Sequence, residues 1–413
     1  MNKNFLALGL AAALLAPQVA GAEGFAINEW SAEGVAMGGA RMFAEDDAAN
    51  VAYNPASITK VKGEVMKSSY TYLSPHGNYK LYDSNNDEIK GEPTHNKVHA
   101  GWAVGSYYVR QINDKEWFGI GAFPRFAMVS EFERESNASS NAFFSKLNGV
   151  SVTPTYAHKF DKKWSAAVGA EINYVGLELQ KNSYDPRVQM NVGATQTEGE
   201  SYALGWNAAA NYAFDDKNEI GVVYRSRITH SLEADFKMYP VIGDKITADA
   251  YGVVTLPDSW DIGYNHKFDK KTRLELKATR TNWSTYDALN VYFDKPVFGK
   301  PNDLSDKNWE NGWRYAIGLE HNLSDKYTVM AGFAFDESSI PHDGGDFMVP
   351  TGLRRTYSIG ARYNDKKQTV AVALGWMDVG NLDFAGHATD AYKSAHAYDS
   401  FTKIASISYQ RKF

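Results

Sequence analysis

From Trp206 to Phe214 the chain alternates without a break: Trp206, Ala208, Ala210, Tyr212 and Phe214 share one face of an extended segment, and Asn207, Ala209 and Asn211 share the other. The pattern predicts a strand with an apolar face that is aromatic at both ends. The next segment repeats it, with Ile220, Val222 and Tyr224 opposite Gly221, Val223, Arg225 and Arg227. Past Lys271, Leu274, Leu276 and Ala278 alternate with Arg273, Glu275, Lys277 and Thr279. Charges keep to one face. In a soluble sandwich that face meets bulk water, whereas in a membrane barrel it lines the lumen and the aromatic-ended face meets lipid.

Punctuation between strands is uneven. The string HKFDKK occupies 158–163 and returns at 266–271, each time after an alternating stretch, and looser versions stand at 214–218, 323–327 and 364–367. These are short polar hairpin turns. Between them lie long polar stretches, at 74–96, 133–146, 182–201, 336–352 and 378–398. Tight turns at one rim and long loops at the other are what a transmembrane barrel makes, with the tight rim periplasmic. The count of candidate strands after Val61 is about fourteen, an even number as in bacterial single-chain barrels. Ala405, Ile407, Tyr409 and Phe413 share the last strand's face, and the terminal Phe413 looks like the signal such barrels present to the barrel assembly machinery.

Ahead of this stand two different segments. Residues 1–22 read as an export signal: Lys3 is the only charge, the stretch from Phe5 to Leu15 is almost wholly apolar, and Ala20-Gly21-Ala22 has the small-x-small form of a cleavage site. Residues 23–60 are too irregular for a wall, rich in Gly and Ala, and acidic at Glu45-Asp46-Asp47, which marks a plug for the lumen of a barrel spanning 61–413.

Composition removes several alternatives. A net charge of −6 offers no basic surface for nucleic acid. There is no cysteine, hence no disulfide and no thiolate chemistry. The ten histidines show neither HExxH nor paired metal spacing, and no G-x-S-x-G elbow occurs, so no enzyme, metal or cofactor is expected. Mean hydropathy is −0.44, but a barrel hides from hydropathy because lumen and lipid faces cancel within any window.

Gly24-Phe25-Ala26-Ile27-Asn28-Glu29-Trp30-Ser31, then 44–51, then Asn54-Pro55-Ala56 resemble the N-terminal hatch of the long-chain fatty acid outer-membrane transporter (FadL) family. The resemblance continues through Gly205-Trp206-Asn207, Tyr224-Arg225-Ser226, Leu256-Pro257, Trp283-Ser284 and 335–341. It implies an all-β, fourteen-stranded antiparallel barrel with an N-terminal hatch, monomeric, in the outer membrane of a Gram-negative-type bacterium among its lipid and lipopolysaccharide. Such a protein passively admits fatty acids or aromatic hydrocarbons and releases them sideways through a gap in the wall. The competing reading is a general diffusion porin for polar solutes, or a barrel whose outer loops bind a partner.

The resemblance also assigns residues. Phe25 matches an aromatic that reaches the binding pocket, and Lys181 matches a basic residue that meets the ligand carboxylate; its parity with Glu171 and Asn173 turns it inward. Arg225 is a further ligand candidate, although pairing with a lumen carboxylate is the commoner job for such a residue. A second basic residue expected before Trp309 has no match, with Lys307 only nearby. Asn54, Pro55 and Ala56 would sit near the wall gap, where Asn54 hydrogen-bonds strand backbone left unpaired by a kink. That kink is expected at Pro124, Phe126 and Ala127, where the family's usual glycine is missing and Pro124 would break one rung.

Overall fold

A computed structural model describes residues 24–90, 94–98, 100–297 and 299–413; the expected export signal at 1–22 lies outside the described residues. The alternating segments form a closed antiparallel barrel of fourteen strands. These are β1 (Glu64–Tyr82), β2 (Gly101–Gln111), β3 (Glu116–Glu131), β4 (Phe144–Lys159), β5 (Trp164–Asp185), β6 (Met190–Ala213), and β7 (Asn218–Arg225, continued by Ile228–Pro240). Then come β8 (Ile246–Leu256, then Ser259–Lys267), β9 (Thr272–Thr281, then Ala288–Val297), β10 (Lys300–Asp306, then Gly312–Asn322), β11 (Tyr327–Asp336), β12 (Arg354–Asn364), β13 (Gln368–Val379) and β14 (Ser394–Lys412). Closure is made by β14 on β1, from Val65 opposite Lys412 to Tyr82 opposite Ser394.

The two faces divide as the alternation predicts. Trp206 is 51% exposed while Asn211 is 1% exposed, and Leu276 is exposed while Glu275 is fully buried. The lumen face is a set of ion pairs: Arg225 with Asp261 at 2.9 Å, Lys277 with Asp261 at 3.1 Å, and Arg273 with Glu275 at 2.9 Å. Buried charges demand partners of this kind.

At the tight rim the repeated turn explains itself. Asp161 accepts the backbone N–H groups of Lys163 and Trp164 at 2.7 and 2.8 Å, and Asp269 does the same for Lys271 and Thr272. Asp215 and Asp365 repeat the arrangement, and Ser324 takes the place of the aspartate in its turn. An aspartate at this position replaces the ladder bonds that the reversing backbone cannot make. Those N–H donors hold the Asp161, Asp269 and Asp365 carboxyls below the ordinary 3.8. A depressed carboxylate lends stability above its unfolded value and loses it as pH falls through the folded one. Amide exchange at Lys163, Trp164, Lys271 and Thr272 should therefore accelerate as pH is lowered beneath 3.8, after correction for intrinsic rates; Asp161→Ala should show the same acceleration at neutral pH, in its own turn only.

The outer half departs from expectation. Segment 182–201 was expected as a loop and is instead the paired upper part of β5 and β6, joined by a turn at 186–189; 74–82 likewise belongs to β1. β5 has 22 residues and β6 has 24. At about 3.3 Å per residue these far exceed the roughly 30 Å hydrocarbon core, so they stand above the membrane. There the outward face meets water, and Glu178, Glu198 and Glu200 replace the apolar residues that signal a strand lower down.

Inside the barrel lies the hatch, from Gly24 to a 3₁₀ helix at Pro55–Lys60. Its helix Ala32–Ala36 is capped by Ser31, whose hydroxyl accepts Gly34 N–H at 3.1 Å. Both this helix and Asn50–Tyr53 are buried throughout. Close seating requires glycine in the wall: a Cβ on Gly332 would meet the Met37 backbone at 2.1 Å.

Candidate functional site

The ladder between β2 and β3 ends early. Its last rung is Ser106 opposite Ala122; above it Gly101–Gly105 pairs only with β1, and β3 continues alone on that side. Pro124 brings no N–H to the edge. Against β4 the register slips between Pro124 and Phe126, a bulge that turns the strand. The glycine that the turn needs is therefore on the neighbouring strand. Gly149 faces the bulge, and a Cβ there would lie 2.6 Å from the Phe126 carbonyl oxygen. Ala127 is tolerated for this reason, and the departure is fixed at 123–127.

The exposed edge does not stay bare. Ile27 N–H donates to Arg125 O and Ala127 N–H donates to Phe25 O, both at 2.9 Å, making Ala26 and Phe126 a bridge. Trp30 Nε1 donates to Pro124 O at 2.6 Å. The hatch's first residues thus serve as a short strand over the gap. Arg125 braces it from within, reaching both Glu171 oxygens at 3.1 and 3.2 Å and the carbonyls of Ser226 and Pro257.

Asn54, Pro55 and Ala56 lie elsewhere. Asn54 donates to Asn211 Oδ1 at 2.7 Å and accepts Ala56 N–H, capping the 3₁₀ helix that Pro55 opens. The expectation that Asn54 hydrogen-bonds kinked strand backbone is corrected: the residues that do so are Phe25 and Ile27, because an extended segment matches a strand edge and a helix cap does not.

Phe25 occupies an aromatic cluster. Its ring centroid lies 4.6 Å from Trp283, 5.6 Å from Tyr286, 5.6 Å from Trp309 and 6.1 Å from Phe126. All five side chains are buried. Trp283 Nε1 and Trp309 Nε1 are buried donors with no hydrogen-bond partner among the described residues. Lys307, fully buried and two residues before Trp309, is ion-paired with Asp346 and lies 3.6 Å from Met348 Sδ. Met348 also lines a cavity of about 50 Å³ with Met128 and Met377, side chains that repack readily around an irregular guest, and with polar neighbours that include His76, Thr351 and Arg354.

Lys181 lies higher, on the upper part of β5. It faces inward as its parity requires and donates to Asp303 at 2.7 Å. The row Lys181, Thr195, Met238 and Ile246 places it beside an apolar cluster of Phe236, Met238, Phe293 and Val297. Arg225, by contrast, donates to Asp261 and to Ala52 O and stacks over Trp30 at 5.5 Å, so it holds the hatch and presents nothing to the Phe25 cluster. Sequence reasoning missed Trp283 and Trp309 as pocket residues; Trp283 was visible only within the family-like Trp283-Ser284, and Trp309 only as the landmark for an expected basic residue.

Above the pocket the outer loops are tied together. Phe347 N–H donates to Asn141 Oδ1 at 2.9 Å, Ala391 N–H to Ser140 Oγ at 2.8 Å, and Asn141 also meets Asp390. A hydrogen bond to Asp390 raises the pKa of His387 in the same tie. Among the described residues no group of His, Asp and Glu could hold a metal ion, and no helix is long and apolar enough to cross a membrane.

A β-barrel whose lumen is closed by its own N-terminal segment, with a buried aromatic cluster packed against a gap in its wall, is an outer-membrane channel for hydrophobic molecules. The chain belongs to the outer membrane protein transport protein (OMPP1/FadL/TodX) family, whose model matches residues 13–413. It is similar to the long-chain fatty acid transport protein of Escherichia coli K12, with 24% identity over 90% of this chain and 91% of that one. It is also similar to outer membrane protein P1 of Haemophilus influenzae, with 25% identity over 88% and 86%. Among solved structures, a Pseudomonas aeruginosa FadL homologue matches with a TM-score of 0.84 at 17% identity over 94% of this chain and all of that one. The Pseudomonas putida toluene transporter TodX gives 0.73 at 16% identity over 95% of this chain and all of that one.

Proposed function

We propose that this channel carries long-chain fatty acids, and that they leave through the wall at 123–127. The two unpartnered indole N–H groups carry the reading. A buried donor left without an acceptor costs about 1–3 kcal/mol, and a carboxylate supplies acceptors that toluene lacks. The ligand would first lodge in the outer apolar groove with its carboxylate at Lys181, then pass to the pocket, where Lys307, Trp283 and Trp309 would receive it. To enter, it must displace Phe25, and Phe25 belongs to the strip that covers the gap. Loading and opening are thereby coupled. Sideways release spares the acyl chain an aqueous lumen, worth about 0.8 kcal/mol per CH₂. No energy source is required, and the protein catalyses no reaction. It acts as a monomer, surrounded by lipopolysaccharide and phospholipid, and is inserted by the barrel assembly machinery.

Tryptophan fluorescence tests the choice of ligand, because the pocket holds its own probes. Oleate should perturb the emission, and Trp309→Phe should remove much of that change. Lys181→Ala and Lys307→Met should each weaken oleate roughly tenfold, as expected for loss of one charge-assisted bond, with toluene unaffected. Equal losses for both ligands, or none for oleate, would leave an aromatic-hydrocarbon channel as the better reading.

A further inference from the structure

At the periplasmic rim a groove of about 860 Å³ lies between the turn at 323–326, the turn at 364–368 and the end of β14. Four cations line it, Lys326, Lys366, Lys367 and Arg411, against two carboxylates, Asp325 and Asp365. Asp365 already accepts the N–H groups of Lys367 and Gln368 at 2.7 and 2.8 Å. None of the four cations has an ion-pair partner among the described residues. Three other lysines on this rim are paired, Lys60 with Glu219, Lys267 with Glu45 and Lys412 with Asp46. Four cations against two carboxylates leave an excess of positive charge, so the cluster favours an anion.

The groove's other wall is lipid-facing. Tyr409 is 44% exposed, and its hydroxyl donates to Gln368 Oε1 at 3.3 Å. Above Tyr409 the same face continues through Ile407, Val372 and Leu374, all exposed, with Ile407 opposite Val372 in register. Arg411 stacks over the Phe413 ring at 5.5 Å, an amphipathic pair at the level of headgroups. Cations below an uninterrupted apolar strip match the two halves of one molecule.

We propose that this groove binds the phosphodiester headgroup of an anionic phospholipid of the inner leaflet, whose acyl chains run along Tyr409, Ile407, Val372 and Leu374. A soluble polyanion would satisfy the cations and gain nothing from the apolar strip. The site is separate from the Phe25 pocket and does not depend on which ligand the channel carries.

The test uses the whole protein in phosphatidylcholine nanodiscs titrated with phosphatidylglycerol, with bound lipid counted by native mass spectrometry. K366Q/K367Q/R411Q should bind phosphatidylglycerol roughly 100-fold more weakly, from a factor of about five for each cation lost near an anionic surface. K162Q/K163Q/K270Q removes as much charge from other turns and should stay within about twofold of the wild type. Heat-modifiable mobility on gels verifies that each variant is a folded barrel, and a variant that fails to fold is replaced by R411Q alone, expected about fivefold weaker. Equal losses in both triple variants would reduce the effect to diffuse rim charge and overturn the site. So would unchanged binding in K366Q/K367Q/R411Q, or displacement of the lipid by inorganic phosphate at equal concentration.

Discussion

A disulfide placed across the Ala26–Phe126 bridge should shut the channel. Ile27 N–H to Arg125 O and Ala127 N–H to Phe25 O flank that pair, which makes it a non-hydrogen-bonded antiparallel pair. Such pairs hold their Cα atoms about 4.5 Å apart, within reach of a disulfide. The chain has no cysteine of its own, so Ala26→Cys/Phe126→Cys introduces the only thiols. Under oxidation the strip can no longer lift from β3, and oleate uptake by proteoliposomes or cells should fall roughly tenfold or more, as for any gate held closed. Reductant should restore uptake in the variant and leave the wild type unchanged. The reduced variant is its own control for the lost Phe126 ring. Undiminished uptake in the oxidised state would mean that ligand leaves by another route, and the coupling between Phe25 and the gap would go with it.

The second large effect concerns what keeps the hatch in place. Lys67 of β1 is fully buried and donates to Glu33 at 2.7 Å and to both oxygens of Asp47 at 2.9 and 3.0 Å. Arg41 meets Asp47 and Glu320, each at 3.0 Å, and Glu320 also holds Arg273 and Arg362. One continuous network thus joins the hatch to β1 on one side and to β9, β10 and β12 on the other. Lys67→Met leaves Glu33 buried without a cation, and breaking a buried pair in this way costs about 3–5 kcal/mol. Wall closure is a backbone ladder and should survive. The expected result is a folded barrel with a loosened hatch, measured as raised ion conductance in planar bilayers and faster proteolysis near residue 45. Adding Glu33→Leu removes the stranded charge and should recover most of the closure, since Asp47 keeps Arg41. Wild-type conductance in Lys67→Met would show that packing alone seats the hatch, through contacts such as Met37 against Gly332.

Much of this was legible in the chain. Period-two alternation, aromatic strand ends and the recurring aspartate turns are local properties, so Trp206–Phe214 and HKFDKK announce a membrane barrel and its tight rim. Lumen ion pairs were legible as a class, because charges confined to one face of a lipid-crossing strand must find one another. Above the membrane the same logic failed. With water in place of lipid outside, the upper β5 and β6 lose their apolar outward face, and a paired hairpin reads like a loop. The identity of each partner also lay beyond the sequence: Arg225 takes Asp261 and a hatch carbonyl, Lys181 takes Asp303, and Lys307 takes Asp346, because pairing is set by register and by how the hatch seats. How the gap is built was decided only by the tertiary structure. Pro124 announced a broken rung, but the glycine that permits the bulge stands on β4, and the strand that covers the edge comes from residues about a hundred positions earlier. Local patterns determine which residues face lipid and where the chain turns. Contacts between segments far apart in sequence decide where the wall opens, since they depend on distances that alternation does not encode.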